Sequence, residues 1–122
     1  MSQKPETIFR AKLRSALEKI PCSFWESIQQ TGIRGTPDLF GCICGVFVAL
    51  EIKTDVGVTS AIQLYKLNKI QEAGGVSFVV SPNNFEASIQ FLENLAKAGL
   101  KNGQRSSIKK GSKRDKTKLQ NS

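Results

Sequence analysis

Residues 35–53 of this 122-residue chain read GTPDLFGCICGVFVALEIK. Two apolar runs flank Gly45, a pattern that predicts two strands joined by a tight turn. We place these strands at residues 38–44 and 46–53. An aspartate then opens the first strand, and a glutamate and a lysine end the second on one face, because strand side chains alternate.

Asp38, Glu51 and Lys53 are therefore predicted to converge at one sheet edge. Partly buried charges cost several kcal/mol each unless something compensates them. Mg²⁺ prefers hard oxygen ligands, so Asp38, Glu51 and the carbonyl of Ile52 form a candidate site for Mg²⁺, or for Mn²⁺. Such an ion activates a bound water for phosphodiester hydrolysis. Lys53 would orient or deprotonate that water, or stabilise the transition state.

This arrangement resembles the PD-(D/E)XK nuclease signature, and within it the VRR-NUC domain (virus-type replication-repair nuclease). The resemblance lies in GTPD at residues 35–38, EIK at 51–53 and GVTSAIQ at 57–63, with an Ala-Gly pair at 73–74. It covers roughly residues 6–96. It implies an α/β, restriction-endonuclease-like αβββαβα core with a mixed central sheet flanked by helices.

The resemblance also implies a glutamate ligand for the metal on the first helix. Glu6 fits best, because apolar residues follow it at helical spacing, and Glu18 is the alternative. Gln63 is implied beside the site, where it would contact the scissile phosphate or the catalytic lysine. Arg34 and Thr54 flank the site, and we predict that they contact DNA phosphates.

A metal-dependent DNA endonuclease is the function that the resemblance implies. It would be structure-specific in replication, repair or recombination, similar to the junction-resolving enzymes of phages, and would act on branched DNA as a homodimer. The alternatives are an exonuclease, a restriction-type nuclease, or a non-catalytic module that binds nucleic acid.

The net charge of +8 belongs entirely to the end of the chain. Residues 97–122 hold nine basic residues and one acidic residue, whereas residues 1–96 hold nine of each. We predict a nuclease domain over 1–96 and a basic, disordered tail over 97–122. The tail would attract DNA phosphates or serve only solubility. Its candidate contacts are Lys109, Lys110, Lys113 and Arg114.

The absence of histidine excludes histidine zinc sites and Ser-His or Cys-His hydrolases. Three cysteines without a Cys-x-x-Cys pair, namely Cys22, Cys42 and Cys44, are predicted to be small buried core residues in a reducing compartment. We find no signal peptide and no apolar span, so we expect no membrane contact. These observations predict the cytoplasm of a bacterium or of a phage-infected host.

The remaining elements follow from apolar periodicity and from capping residues. We predict a helix over residues 6–20, an edge strand over 22–30, a helix begun by Thr59 or Ser60, a strand over 76–80 parallel to its neighbour, and a last helix begun by Ser81 or Asn83. In the edge strand, Trp25 is predicted to be a core residue. The predicted core residues of the helices are Ile8, Phe9, Leu13, Leu17 and Ile20 in the first, Ile62, Leu64, Leu67 and Ile70 in the second, and Phe85, Ile89, Leu92 and Leu95 in the last.

Overall fold

The computed structural model describes residues 4–29, 32–54 and 58–102. Within these ranges, three α-helices and four β-strands follow the predicted order αβββαβα. Their bounds are Pro5–Glu18 (α1), Ser23–Ser27 (β1), Leu39–Ile43 (β2), Val46–Ile52 (β3), Ala61–Glu72 (α2), Val76–Val80 (β4) and Phe85–Lys101 (α3).

The strands form one mixed sheet in the order β1-β2-β3-β4. The first two pairs are antiparallel, and β3 and β4 are parallel. The parallel pair is the predicted one, because the chain crosses between these strands through α2. The predicted α/β class, the mixed sheet and the edge position of β1 are confirmed. A nuclease core in particular stays a prediction.

A two-residue turn joins β2 to β3. Cys44 has a φ of 48° and Gly45 a φ of 88°, and Ile43 pairs with Val46 on either side of them. Both turn residues therefore occupy the left-handed region, as in the tight turns that match the twist of a hairpin. Gly45 was predicted at this turn, whereas Cys44 was placed in the strand.

The hairpin register brings the two predicted carboxylates opposite one another. Leu39 of β2 pairs with Leu50 of β3. The next position along an antiparallel ladder places Asp38 across from Glu51. The turn at one end of the hairpin thus determines which side chains meet at the other end.

Helices α1 and α3 cover one face of the sheet. Trp25, predicted in the core, is only 4% exposed, and a Cβ added to Gly41 would overlap its ring. Ile8 was predicted on the buried face of α1 but is 52% exposed, because it lies about 100° around the helix from the stripe that begins at Phe9. The largest fully buried side chains are Leu13, Leu17, Leu39, Ile43, Leu50, Leu92, Val48 and Val80.

Helix α2 covers the β3–β4 half of the opposite face. Its Leu67 is buried, and the Ser77 hydroxyl of β4 donates a hydrogen bond of 2.6 Å to the Leu67 carbonyl. Leu64 was predicted in the core but is 45% exposed. On the other half of this face Phe24 is 60% exposed, so no helix in the described part of the chain covers it.

This uneven cover corrects the prediction for the cysteines. Cys42 is exposed, because its side chain lies on the half of the sheet face that α2 leaves open. Cys44 is buried in the hairpin turn, and Cys22 is half-buried. All three are free thiols.

The last helix differs from its prediction at its start. A 3₁₀ turn over Pro82–Asn84 precedes it, so α3 begins at Phe85 and neither Ser81 nor Asn83 is its N-cap. Ser81 instead donates its backbone N–H to Asn84 Oδ1 at 2.8 Å. The polar run after β4 thus forms a turn of its own.

Helix α3 ends beyond the predicted domain boundary at residue 96. The helix continues to Lys101, and both Ala96 and Gly99 are buried. The helix therefore extends past the predicted domain end at residue 96, and residues 97–101 are helical where disorder was predicted. The part of the chain that the structure describes contains no helix that could span a membrane.

Candidate active site

Asp38 is fixed at the start of β2 by main-chain and side-chain contacts. Its Oδ2 accepts a 2.7 Å hydrogen bond from the backbone N–H of Ile52, and its own carbonyl accepts one of 2.8 Å from Ile28. Its Oδ1 lies 3.4 Å from a guanidinium nitrogen of Arg10. The carboxylate is thus held in place while about a quarter of its surface, 26%, stays exposed.

Glu51 is the most perturbed acid of the site. It is 6% exposed, its Oε2 accepts a hydrogen bond from the Gln63 side-chain amide, and its Oε1 is buried without a hydrogen-bond partner. Burial, followed by the charge and hydrogen bonding of Asp38, raises the pKa of Glu51 from 4.5 to about 7. The positive charges of Arg10 and Lys53 oppose this rise and are outweighed.

The cap of α2 positions Gln63. Ser60 is the N-cap, one of the two residues predicted there, and its hydroxyl accepts from the Gln63 backbone N–H at 3.3 Å. The Gln63 Oε1 accepts from the Ser60 backbone N–H at 3.1 Å and from the Ser60 hydroxyl at 3.0 Å. This capping box directs the amide nitrogen of Gln63 toward Glu51. Gln63 therefore lies beside the site, where it contacts the carboxylate.

Glu6 reaches the site only through Arg10. The Glu6 Oε2 binds the Arg10 guanidinium at 2.9 and 3.0 Å, and Arg10 in turn contacts Asp38. Glu18, the alternative, pairs with Arg14 at 3.1 Å in the last turn of α1. Nowhere in the described ranges do three His, Cys, Asp or Glu side chains form a group that could hold a metal.

Arg10 is a residue of the candidate site that the sequence analysis missed. The signal available was weak, because Glu6 and Arg10 are four residues apart, as in many ordinary helix ion pairs. The contact with Asp38 depends on how α1 packs across the sheet. Through this contact, Arg10 connects helix α1 to the Asp38 carboxylate.

Lys53 and its neighbours lie where β3 ends. The backbone N–H of Lys53 donates to the Val80 carbonyl at 2.9 Å, and its positive charge acts on Glu51. Ile52 contributes its N–H to Asp38, and the use of its carbonyl as a ligand stays a prediction. Thr54 follows Lys53 directly and is half-buried.

The remaining predicted contacts fall in two places. Arg34 is exposed, in the loop before Asp38, and lines an open groove beside α2. The four predicted tail contacts lie outside the described residues. They are Lys109, Lys110, Lys113 and Arg114.

The donor set fits a hard divalent cation. Asp38 and Glu51 offer carboxylate oxygens, and the buried Oε1 of Glu51 accepts no hydrogen bond from the described residues. Mg²⁺ is often held by one or two carboxylates, with waters and substrate phosphate completing its shell. A cation here would also relieve the repulsion between the two acids.

Comparison with known proteins gives no match to any family model, to any curated protein or to any solved structure. The class that the fold defines is an α/β protein with a four-stranded mixed sheet and three helices in its described part.

Proposed function

We propose that this protein is a metal-dependent DNA endonuclease. The observation that carries the proposal is the Asp38–Glu51 pair, in which the buried Glu51 Oε1 accepts no hydrogen bond within the described ranges and the pKa of Glu51 is raised to about 7. An arrangement that leaves a carboxylate uncompensated is costly for folding alone. Perturbed acids of this kind occur mainly at functional sites.

Asp38 and Glu51 would hold Mg²⁺ or Mn²⁺, with the Ile52 carbonyl as a third ligand. When bound, the ion would lower the pKa of a water and offset charge on the phosphate. Gln63 holds one oxygen of Glu51 and leaves Oε1 for the ion.

The other residues of the chain prepare the site electrostatically. Arg10 and the Ile52 N–H fix the Asp38 carboxylate, so that its orientation does not depend on the ion. Lys53 supplies a positive charge near Glu51, where it would orient the attacking water or stabilise the negative charge of the transition state.

Branched or structured DNA is the substrate class in this proposal, and the resemblance of residues 35–63 to VRR-NUC domains supports it. Replication, repair or recombination is the corresponding setting, and a homodimer the corresponding assembly. Sedimentation of the full chain measures the assembly.

The test is a cleavage panel of duplex, flap, fork and four-way-junction DNA with Mg²⁺, Mn²⁺ or EDTA. We expect metal-dependent endonucleolytic cleavage of branched substrates that EDTA blocks. Glu72→Gln is the matched control, because Glu72 is an exposed acid that pairs only with Lys69 among the described residues. Cleavage that persists in EDTA would remove the metal from the proposal, and release of single nucleotides would indicate the exonuclease alternative.

A non-catalytic DNA-binding module is the second candidate. The observation that favours it is the absence, among the described residues, of a third acid that converges with Asp38 and Glu51. Such a module binds the panel without cutting any member of it at any metal concentration, which separates it from the nuclease.

A further inference from the structure

An open groove lies at the start of α2, beside the loop that leads into Asp38. Its volume is about 440 Å³. Two basic side chains line it, one from the loop before β2 and one from α2. The lining residues are Arg34, Ser60, Ala61, Ile62 and Lys66.

Close packing of the loop on α2 builds this groove. Gly35 has a φ of 79°, and a Cβ there would lie 2.9 Å from Ile62 Cγ1 and 3.0 Å from the Ile62 carbonyl oxygen. Only glycine allows this approach without strain. The same loop leads into Asp38, and Ile62 directly precedes Gln63, so the groove and the carboxylate site share their supporting residues.

The groove is lined by two cations and, among the described residues, by no acidic side chain. Within the described ranges neither Arg34 nor Lys66 forms an ion pair, whereas Lys69 of the same helix pairs with Glu72 at 3.2 Å. Two uncompensated cations at one groove favour a bound anion. The positive end of the α2 dipole adds to their field.

We propose that this groove binds a backbone phosphate of the DNA strand, next to the phosphate that is cleaved. The inference rests on the proposed function and adds a path for the strand, from the carboxylates along the first turn of α2. Arg34 suits two-point contact with phosphate oxygens, and Lys66 acts as a point charge. The Ser60 hydroxyl is already engaged by Gln63 and is not needed as a donor.

Salt-dependent binding tests the groove. Arg34→Gln and Lys66→Gln are each made in the full chain carrying Asp38→Asn, with Lys69→Gln as the control that removes the same charge from the same helix. Fluorescence anisotropy with the preferred panel DNA gives Kd at several salt concentrations. Each groove variant should reduce the slope of log affinity against log salt concentration by about 0.9. When salt is lowered from 1 M to 0.1 M, the affinity of each variant should therefore increase by roughly 8-fold less than that of the Asp38→Asn chain.

A neutral methylphosphonate, placed at one phosphate at a time near the cleavage point, locates the contact. At the contacted phosphate, the methylphosphonate should weaken DNA binding by the Asp38→Asn chain. It should have little further effect on the Asp38→Asn chain that also carries Lys66→Gln, because the contact is already lost. Inorganic phosphate is the competing probe. If it competes at the groove while the DNA slopes of both variants match Lys69→Gln, the groove binds free phosphate and the DNA assignment is wrong.

The outcomes separate the two proposals. If the unmodified chain cleaves DNA and the groove variants show the slope of Lys69→Gln, the nuclease stands and the groove proposal fails. If the unmodified chain neither binds nor cleaves any panel member, both fail. Unchanged thermal unfolding of the Arg34, Lys66 and Lys69 variants shows that a loss of binding is not a loss of folding.

Discussion

Replacing Glu51 by glutamine should stabilise the metal-free protein while destroying its response to metal. The folded protein holds the pKa of Glu51 at about 7, against an ordinary value of 4.5. Below the ordinary pKa, the folded and unfolded states both carry the proton, and Glu51 makes no difference. Between the two values the unfolded chain loses the proton first, so the free energy of unfolding falls as pH rises. Above pH 7 the full penalty applies.

The size of this penalty follows from the two pKa values. At 1.36 kcal/mol per pKa unit, the raised pKa corresponds to at most about 3 kcal/mol above pH 7. Glutamine has no such penalty, it can still accept from Gln63, and its amide nitrogen can donate to Asp38. For a chain of this size, 3 kcal/mol is a rise in Tm of roughly 10 °C.

Thermal unfolding in EDTA between pH 4 and pH 8 measures the effect. The advantage of Glu51→Gln should be small at pH 4, grow through pH 5–7 and then level off. Mg²⁺ at ten times its Kd should stabilise the unmodified chain by about 1.4 kcal/mol and leave Glu51→Gln unchanged. The control Glu72→Gln should match the unmodified chain in its pH dependence and in its stabilisation by Mg²⁺, because the Glu72 carboxylate is exposed.

Two results would refute this reasoning. Equal stability of Glu51→Gln and the unmodified chain at pH 8 would mean that the ionised Glu51 carboxylate does not destabilise the folded protein. Equal stabilisation of both by Mg²⁺ would mean that the ion binds elsewhere.

Three further predictions concern catalysis, the tail and the core. Lys53→Ala should lower the single-turnover cleavage rate by about 10²-fold or more, and Gln63→Ala by less, because a neutral amide contributes less than a charge; the reverse order would show that their roles are misassigned. A chain ending at Asn102, just beyond α3, should fold and should still cleave at saturating DNA. Its slope of log affinity against log salt concentration should be flatter than that of the full chain by roughly a few units. Equal slopes for the two chains would mean that the tail does not take part in DNA binding. Gly41→Ala should lower the free energy of unfolding by about 1–3 kcal/mol, because the added methyl overlaps both the Trp25 ring and the Phe24 carbonyl oxygen. Trp25→Leu should recover only the part of that loss that comes from the ring, and an unchanged Tm of Gly41→Ala would contradict this packing.

The hairpin and the meeting of its two acids could be predicted from sequence because the signals are local. Gly45 between two apolar runs determines the turn, and the turn determines the register. Counting outward from the two-residue turn Cys44–Gly45 pairs Asp38 with Glu51, whereas a turn at Gly45 alone, as predicted, would pair Asp38 with Ile52. The Ser60 cap is equally local, since its partner Gln63 is three residues away.

The features that were missed depend on how separate elements pack. Arg10 meets Asp38 only because α1 crosses near the start of β2, which periodicity within one helix does not reveal. Cys42 is exposed because α2 covers half of a sheet face, and the residue pattern of β2 is the same whether or not a helix lies above it. The groove of Arg34 and Lys66 likewise joins a loop to a helix.

The basic composition of residues 97–122 led to the prediction that the domain ends at residue 96. Lys97 and Lys101 belong to a strongly basic segment, so they were assigned to the tail. Lysine is a good helix former and is favourable near a helix C-terminus, where it faces the negative end of the dipole. The buried Ala96 and Gly99 are small residues that signal packing only weakly in a sequence.

Single-turnover cleavage of a four-way DNA junction, with enzyme in excess, tests the central claim most directly. The comparison is between the unmodified chain, Asp38→Asn and Glu72→Gln, each with Mn²⁺ or with EDTA and with DNA binding measured alongside. We predict cleavage by the unmodified chain and by Glu72→Gln in Mn²⁺ only, and none by Asp38→Asn, although it still binds the junction. Cleavage by Asp38→Asn at the unmodified rate would contradict the assignment of the site to the Asp38–Glu51 pair.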